Sequence, residues 1–304
     1  MDSTRSAVRN VDRRVAAAIG REARLELAFE LRGERTVLVH GYAEPPFRIG
    51  RSFDLDGAAY VILACAGPGV FGGDALHQSV RVGRGARVVL TSQSALQVHP
   101  APAAPLSDRP DLTGPPDAPA LAARVRQEYA VEPDGELHCQ WDAVIPFAGA
   151  QLDQRIDLAI APSSRLFWAD ATMAGRVARR EAWQFQKIAH ELRLRIGPVL
   201  AYLERYTLAP ADRDILQPWR CGGAPFIATS LAHHERVTVE SAEMLHRELT
   251  GIGGVRGAAD LVAPGLLLAR FLAGNGAPFG RARASYRALV LRSIFGRPEL
   301  AGRK

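Results

Sequence analysis

Apolar and polar residues alternate along much of this chain, and the alternation predicts strands. Leu25, Leu27, Phe29 and Leu31 interleave with Glu26, Ala28 and Glu30, the period of a half-buried strand. Gly33-Glu34 turns the chain, and Thr36–His40 reads as the hairpin partner. Pro45-Pro46 stops the ladder, because proline offers no N–H. Tyr60–Cys65 reads as a buried strand. Ser79–Val82 and Ala86–Thr91 read as a hairpin closed by Gly83-Arg84-Gly85. Val125–Val131 and Glu136–Cys139 repeat that arrangement around Pro133-Asp134-Gly135. Ile156, Leu158 and Ile160 alternate again, as do Leu192, Leu194 and Ile196. Strands recurring every ~8–12 residues with turn residues between them predict an all-β core.

Helical spacing arrives late. Ser241–Leu249 opens on a capping residue and stops before Gly251. Gly280–Phe295 places Tyr286, Leu289, Val290, Ser293 and Ile294 on one face, with Gly296 after it. A weaker helix is predicted over Leu266–Ala273. The expected fold is mainly β, in stacked sheets, with two helices near the C-terminus. The pattern by itself does not separate a sandwich from a β-helix. Residues 1–20 read as a polar lead-in and 21–304 as one domain. Residues 100–120 hold seven prolines and read as an exposed insert loop.

Charge changes this picture little. In 304 residues, 38 Lys+Arg stand against 32 Asp+Glu, a formal charge of +6. Only Lys187 and Lys304 are lysines. The basic residues form no long run, and aromatics are only 7%, so no stacking platform for nucleic-acid bases is apparent. Cys65, Cys139 and Cys221 are widely spaced and include no C-x-x-C, which argues against a zinc knuckle or a disulfide framework. A reducing cytosol is the expected setting. The apolar run Tyr60–Ala66 is far short of the ~18 residues that span a bilayer, so no membrane partner is expected.

Gly67-Pro68-Gly69-Val70-Phe71-Gly72 formally matches G-x-G-x-x-G after a strand. A dinucleotide site needs a helix to open there, but the chain runs on through Gly73-Asp74-Ala75-Leu76-His77 into another alternating strand. A tight turn that needs positive φ explains these glycines better. No P-loop, G-x-S-x-G or H-E-x-x-H occurs. His233-His234-Glu235 is a poor chelate, because neighbours on a strand face opposite ways.

Taken in order, the pieces resemble the urease accessory protein D family, called H in some bacteria. Ala66–Leu76 is similar to its signature Pro-Pro-Gly-Gly-x-x-x-Gly-Asp-x-Leu. Pro45–Phe53 is similar to its Pro-Leu-Arg-x-x-x-Pro-Phe region, and Leu90–Ala95 to Leu-Thr-Thr-Gln-x-x. Ile145-Pro146-Phe147 falls where the family has a similar tripeptide. Gly175-Arg176 with Glu181 resembles Gly-Arg-x-x-x-x-Glu-x-Phe. The chain departs from the family pattern at Gln97 and His99, at Gln140-Trp141-Asp142 and at Pro298-Glu299-Leu300. The resemblance implies a β-helix-like stack of sheets and a non-enzymatic scaffold that assists nickel insertion into apo-urease. It implies binding to apo-urease and to accessory protein F, which recruits the GTPase accessory protein G. No tightly bound cofactor and no stable metal site are expected, only Ni2+ in transit along an internal route.

Candidate polar groups for that route are Asp74, Asp142 and Glu181, with His77 weaker. Oxygen and imidazole donors hold nickel loosely enough to release it. Gly67, Gly69, Gly72, Gly73, Gly175 and Arg176 are the structural motif. Thr91, Ser92 and Gln93 are candidate interface or wall residues. On the last helix Arg281, Arg283, Arg287 and Arg292 are candidates for docking accessory protein F, with Arg287 and Arg292 foremost. Two competing readings are a basic β-fold for single-stranded nucleic acid and a β-helical enzyme acting on acidic polysaccharide. Neither accounts for the ordered motifs.

Overall fold

The computed structural model describes residues 20–101, 121–211, 213–218 and 220–301. The predicted lead-in, up to residue 19, and the proline-rich insert, from residue 102 on, lie outside the described residues. The strands up to the insert are β1 (Glu22–Arg32), β2 (Arg35–Ala43), β3 (Phe47–Ile49), β4 (Phe53–Leu55), β5 (Ala58–Cys65), β6 (Val70–Phe71), β7 (Ala75–Val82), β8 (Arg87–Ser92) and β9 (Leu96–His99). Then come β10 (Ala123–Val131), β11 (Glu136–Gln140), β12 (Val144–Pro146), β13 (Gln151–Ile160), β14 (Arg165–Met173), β15 (Lys187–Ile196), β16 (Val199–Leu208) and β17 (Phe226–His233). The last part is α1 (Val239–Gly251), β18 (Val255–Ala263), β19 (Leu266–Ala273), α2 (Gly276–Ser293) and α3 (Pro298–Ala301).

Two stacked sheets hold these strands. The first runs β16-β15-β13-β10-β7-β1-β2, and the second runs β18-β19-β17-β14-β11-β8-β5-β3 with four short strands off that path. From β7 to β15 the long strands alternate between the sheets, and within each sheet they pair in parallel. Period-two side chains then meet across the gap. Leu25, Leu27 and Phe29 of β1 share one buried cluster with Val61, Leu63, Val88, Leu90 and Trp168 of the second sheet. The Tyr129 and Trp168 rings touch edge-on there, 5.1 Å apart.

The intervening positions of the second sheet face the helices. Tyr60, Val89, Phe167 and Leu267 pack with Leu245 and Leu249 of α1 and with Tyr286, Val290 and Leu291 of α2. The second sheet is therefore buried on both faces, which suits its nearly continuous apolar strands. Both predicted long helices are present and are slightly longer than predicted. Thr238 caps α1 through a reciprocal box with Ser241, and Asn275 caps α2.

Three expectations need correction. Ser79–Val82 and Ala86–Thr91 do not pair as a hairpin, and neither do Val125–Val131 and Glu136–Cys139. In each case the two strands lie in opposite sheets. Their apolar sides face each other across the core, so the three-residue turn is an arch between sheets and not a bend within one. The arches stack: Glu136 N–H donates to the Ala86 carbonyl (2.9 Å) and Arg165 N–H to that of Gly135 (2.8 Å). Leu266–Ala273 is not a helix but strand β19, between β17 and β18. Leu267, Ala269, Phe271 and Ala273 are buried on the helix side, the other side is buried at Leu266 and opens at Arg270, and the Pro264-Gly265 turn, with Gly265 at φ +71°, returns the strand antiparallel to β18. The hairpin of β1 and β2 around Gly33 forms as the pattern predicts.

Candidate functional site

Two cavities lie on opposite faces of the second sheet. One, of about 110 Å³, is between the sheets, and Gln78, Gln154, Ile156, Trp168 and His190 are among its walls. The other, of about 320 Å³, lies between the sheet and α2, against Thr229, Ser230, Tyr286, Arg283 and Arg287. Among the described residues, only Asp142 and Asp170 line both cavities.

Strand geometry places this pair. Asp170 continues the Leu166, Trp168 parity of β14, a side that elsewhere feeds the core. Asp142 comes two residues after β11 ends. Its backbone N–H donates to Ser92 Oγ (2.8 Å), and Trp141 N–H donates to the Ala169 carbonyl (2.9 Å). Thr91 Oγ1 donates to the Gln140 carbonyl at 2.9 Å. The ends of β8, β11 and β14 are thereby pinned side by side at the waist between the cavities.

The electrostatics there are unusual. Burial, and then the charge of Glu204, push the Asp170 carboxyl up to about 7; the indole N–H of Trp168 donates to it at 3.1 Å and works the other way. Burial and then Arg270 push the His190 imidazole down to about 4, so it is neutral at pH 7; Nδ1 is 3.1 Å from Gln154 Oε1. Burial lowers the Arg283 guanidinium, while Asp142 and Asp170 pull it back up. Its Nη2 donates to the Trp141 carbonyl at 2.5 Å. One turn on, Arg287 Nη1 donates to Gln140 Oε1 at 2.6 Å. Among the described residues no cluster of three or more His, Cys, Asp or Glu side chains is arranged to hold a metal ion. The waist offers two carboxylates, with a neutral imidazole on one cavity wall. That donor set suits a passing cation better than a resident one.

Comparison with known proteins decides the family. The sequence model described as UreD urease accessory protein matches residues 21–304. The chain belongs to the UreD family. It is 32% identical to Urease accessory protein UreD of Sorangium cellulosum over 230 residues, 76% of this chain and 67% of that one. It is 29% identical to Urease accessory protein UreD 2 of Streptomyces griseus over 282 residues, 90% of each. With Urease accessory protein UreD of Pseudomonas aeruginosa it shares 29% over 253 residues, 83% of this chain and 82% of that one. UreD proteins are urease accessory proteins with a role in urease maturation, not enzymes. The family implies interaction with urease and with other accessory proteins.

The candidate site residues named from the sequence separate into two groups. Asp142, Thr91, Ser92 and Arg287 gather at the waist. Asp74, His77, Glu181, Gln93 and Arg292 line neither cavity. Asp74 staples the glycine turn: it is 4% exposed, accepts from Arg21 N–H (2.8 Å) and Phe71 N–H (2.9 Å), and pairs with the Arg21 guanidinium at 3.5 Å. Glu181 accepts two hydrogen bonds from Arg176, at 2.7 and 2.5 Å, which hold its carboxyl below the usual range. His77 is exposed on β7, and Gln93 and Arg292 are exposed as well.

The glycines of the motif are backbone devices. Gly67 and Gly73 have φ +95° and +96°, and a Cβ on Gly69 would fall 2.2 Å from the Gln97 carbonyl oxygen. A Cβ on Gly72 would fall 2.3 Å from the Leu121 oxygen, and one on Gly175 2.5 Å from that of Glu181. Asp170 and His190 were missed by sequence reasoning. Their signal was a polar residue on the apolar parity of a strand, as in Leu166-x-Trp168-x-Asp170 and Ile188-x-His190-x-Leu192. Among the described residues no helix is long and apolar enough to cross a membrane.

Proposed function

We propose that this chain assists nickel insertion into apo-urease as a non-catalytic chaperone in the cytosol. In this reading it bridges urease to accessory protein F and, through it, to the GTPase accessory protein G. Residues 21–304 act as one unit. Nickel is the cargo, and it crosses the fold at the waist of Asp142 and Asp170. The observation that carries this reading is the pair of cavities on opposite faces of one sheet, with two carboxylates common to both. Carboxylate oxygens bind a divalent cation without the thiolate affinity that would trap it. His190, neutral at pH 7, supplies a nitrogen on the inter-sheet side. Asp74 and Glu181 serve in this reading by shaping the turns beside the route, and Gln93 and Arg292 as exposed contacts for partners.

The test is co-expression of urease subunits with the other accessory proteins, with and without this gene. The readouts are urease activity and the nickel content of purified urease. Both are expected to fall without the gene, and with Asp142→Asn or Asp170→Asn in a chain that is still folded. Full nickel loading without the gene overturns the maturation reading. Full loading with both asparagines overturns the waist alone. Charge reversal at Arg292 is expected to weaken co-purification with accessory protein F, and unchanged co-purification removes that contact.

A further inference from the structure

We infer that Arg283 is a tethered cation that closes the waist between the two cavities, and that a divalent ion crosses only by displacing it. The inference rests on the route proposed above and concerns its control.

Arg283 projects from α2 into the outer cavity, whose walls include both Asp142 and Asp170. Both carboxylates act on its charge. Its hydrogen bond to the Trp141 carbonyl sets the guanidinium against the residue just before Asp142. A guanidinium keeps its proton at any physiological pH, so this positive charge cannot be titrated away. The remaining groups facing it are neutral or cationic: the Gln140 amide, Thr229, Ser230, the Tyr286 phenol and Arg287. Glu204 and Arg270 act on Asp170 electrostatically as a further pair of opposite charges, themselves in contact at 2.9 Å.

Charge counting gives the arrangement its selectivity. A monovalent ion in place of the guanidinium leaves the charge around Asp142 and Asp170 unchanged, so it gains nothing over a competitor whose tether keeps it at high local concentration. A divalent ion in that place adds one positive charge facing the two acids, which attract it more strongly than they attract a monovalent ion. A divalent ion added beside the guanidinium would add two positive charges, with Arg287 already in the same cavity wall and away from bulk water. Displacement is therefore the favourable course. The outer cavity has room for the swing, and the Phe279 ring, which the guanidinium already faces with Cζ 5.7 Å from its centroid, can keep hold of the cation once its hydrogen bond to Trp141 is given up.

The test is binding of Ni2+ to the purified full chain by calorimetry, with K+ as competitor. It compares wild type, Arg283→Gln, Arg283→Lys and Arg283→Gln with Asp142→Asn, each checked by circular dichroism. Arg283→Gln is expected to bind Ni2+ about 10-fold tighter, the scale of effect when one nearby opposing charge is removed. It should also become sensitive to K+, whereas wild type is not. Arg283→Lys keeps the tethered charge and should stay close to wild type, and adding Asp142→Asn should abolish the gain. Unchanged or weaker Ni2+ binding in a folded Arg283→Gln chain overturns the inference. So does a lysine variant that behaves like the glutamine one. If the Asp142 and Asp170 variants lower urease loading while Arg283→Gln leaves binding unchanged, only the gate fails. If they leave loading intact, the route itself fails.

Discussion

A buried and a half-buried carboxylate of this protein have opposite fates. Glu136 is 3% exposed and sits where the end of α2 and α3 meet the second sheet. His138 Nε2 donates to it at 2.7 Å, and Arg297 and Arg165 stand 3.6 and 3.7 Å away. Burial alone would raise its carboxyl, but that hydrogen bond and the charges of His138, Arg297 and Arg165 outweigh burial and hold it at about 2. The adjoining void is about 10 Å³. Asp170 faces two cavities, feels a like charge from Glu204, and is raised to about 7. A carboxylate saturated with partners in a filled site fixes the fold. One left short of partners beside open space is available to a ligand.

The largest expected effect is at Glu136. Glu136→Gln removes the anion that three cationic or donor groups share, and should cost about 3 kcal/mol of stability in urea denaturation at pH 7. The pH dependence carries the same sign. The folded value lies below the ordinary 4.5, so the contribution is complete above pH 4.5 and is lost as pH falls toward 2. A glutamine variant with wild-type stability would remove the contrast at its stable end.

Asp170 should behave the other way. Its folded value is raised from 3.8 to about 7, so the unfolded chain releases the proton first and stability declines as pH rises through that window. Asp170→Asn is therefore expected to stabilise the protein by about 2 kcal/mol at pH 8, with the gain vanishing near pH 4, while nickel loading of urease falls. Urea melts at the two pH values check the first part and metal analysis the second. Glu204→Gln removes the like charge, should bring the Asp170 transition down by about one pH unit, and is read from the same melts.

Much of this contrast was not legible in the sequence. The alternation in β1, β7, β10 and β13 told which side chains share a face, Ser241 and Gly251 marked α1, and the spacing from Tyr286 to Ile294 with Gly296 after it marked α2. Period two is the same for strands paired edge to edge and for strands facing across a core, so the arches at Gly83-Arg84-Gly85 and Pro133-Asp134-Gly135 read as hairpins. Leu266–Ala273 is an apolar run short enough for either element, and only its pairing between β17 and β18 makes it a strand. Asp142 was a candidate although it lies within a departure from the family pattern, Gln140-Trp141-Asp142. Asp170 and His190 look like ordinary polar residues until the strands on either side of them are known, because a cavity is a property of neighbours distant in sequence. Asp74 and Glu181 drew notice through motif positions that proved to hold turns together.

The smallest expected effect separates a network with reserve from one without. Arg297 is one of three groups around Glu136, and its approach of 3.6 Å is longer than that of His138. Arg297→Gln should cost only about 1 kcal/mol, because His138 and Arg165 remain to hold the carboxylate ionised. The acid limb of the stability curve should move up slightly and stay below pH 4.5. The backbone N–H of Arg297, which donates to the Leu291 carbonyl at 2.7 Å, is untouched, so α3 should stay docked and resist limited proteolysis. At the waist, both carboxylates act on Arg283, which lines the outer cavity with them, while Arg287 one turn on donates a hydrogen bond to Gln140. The same arginine-to-glutamine exchange there should change cation binding far more than stability. If the two exchanges instead lower stability equally and leave Ni2+ binding alone, the waist is a second structural staple and the contrast between the two sites disappears.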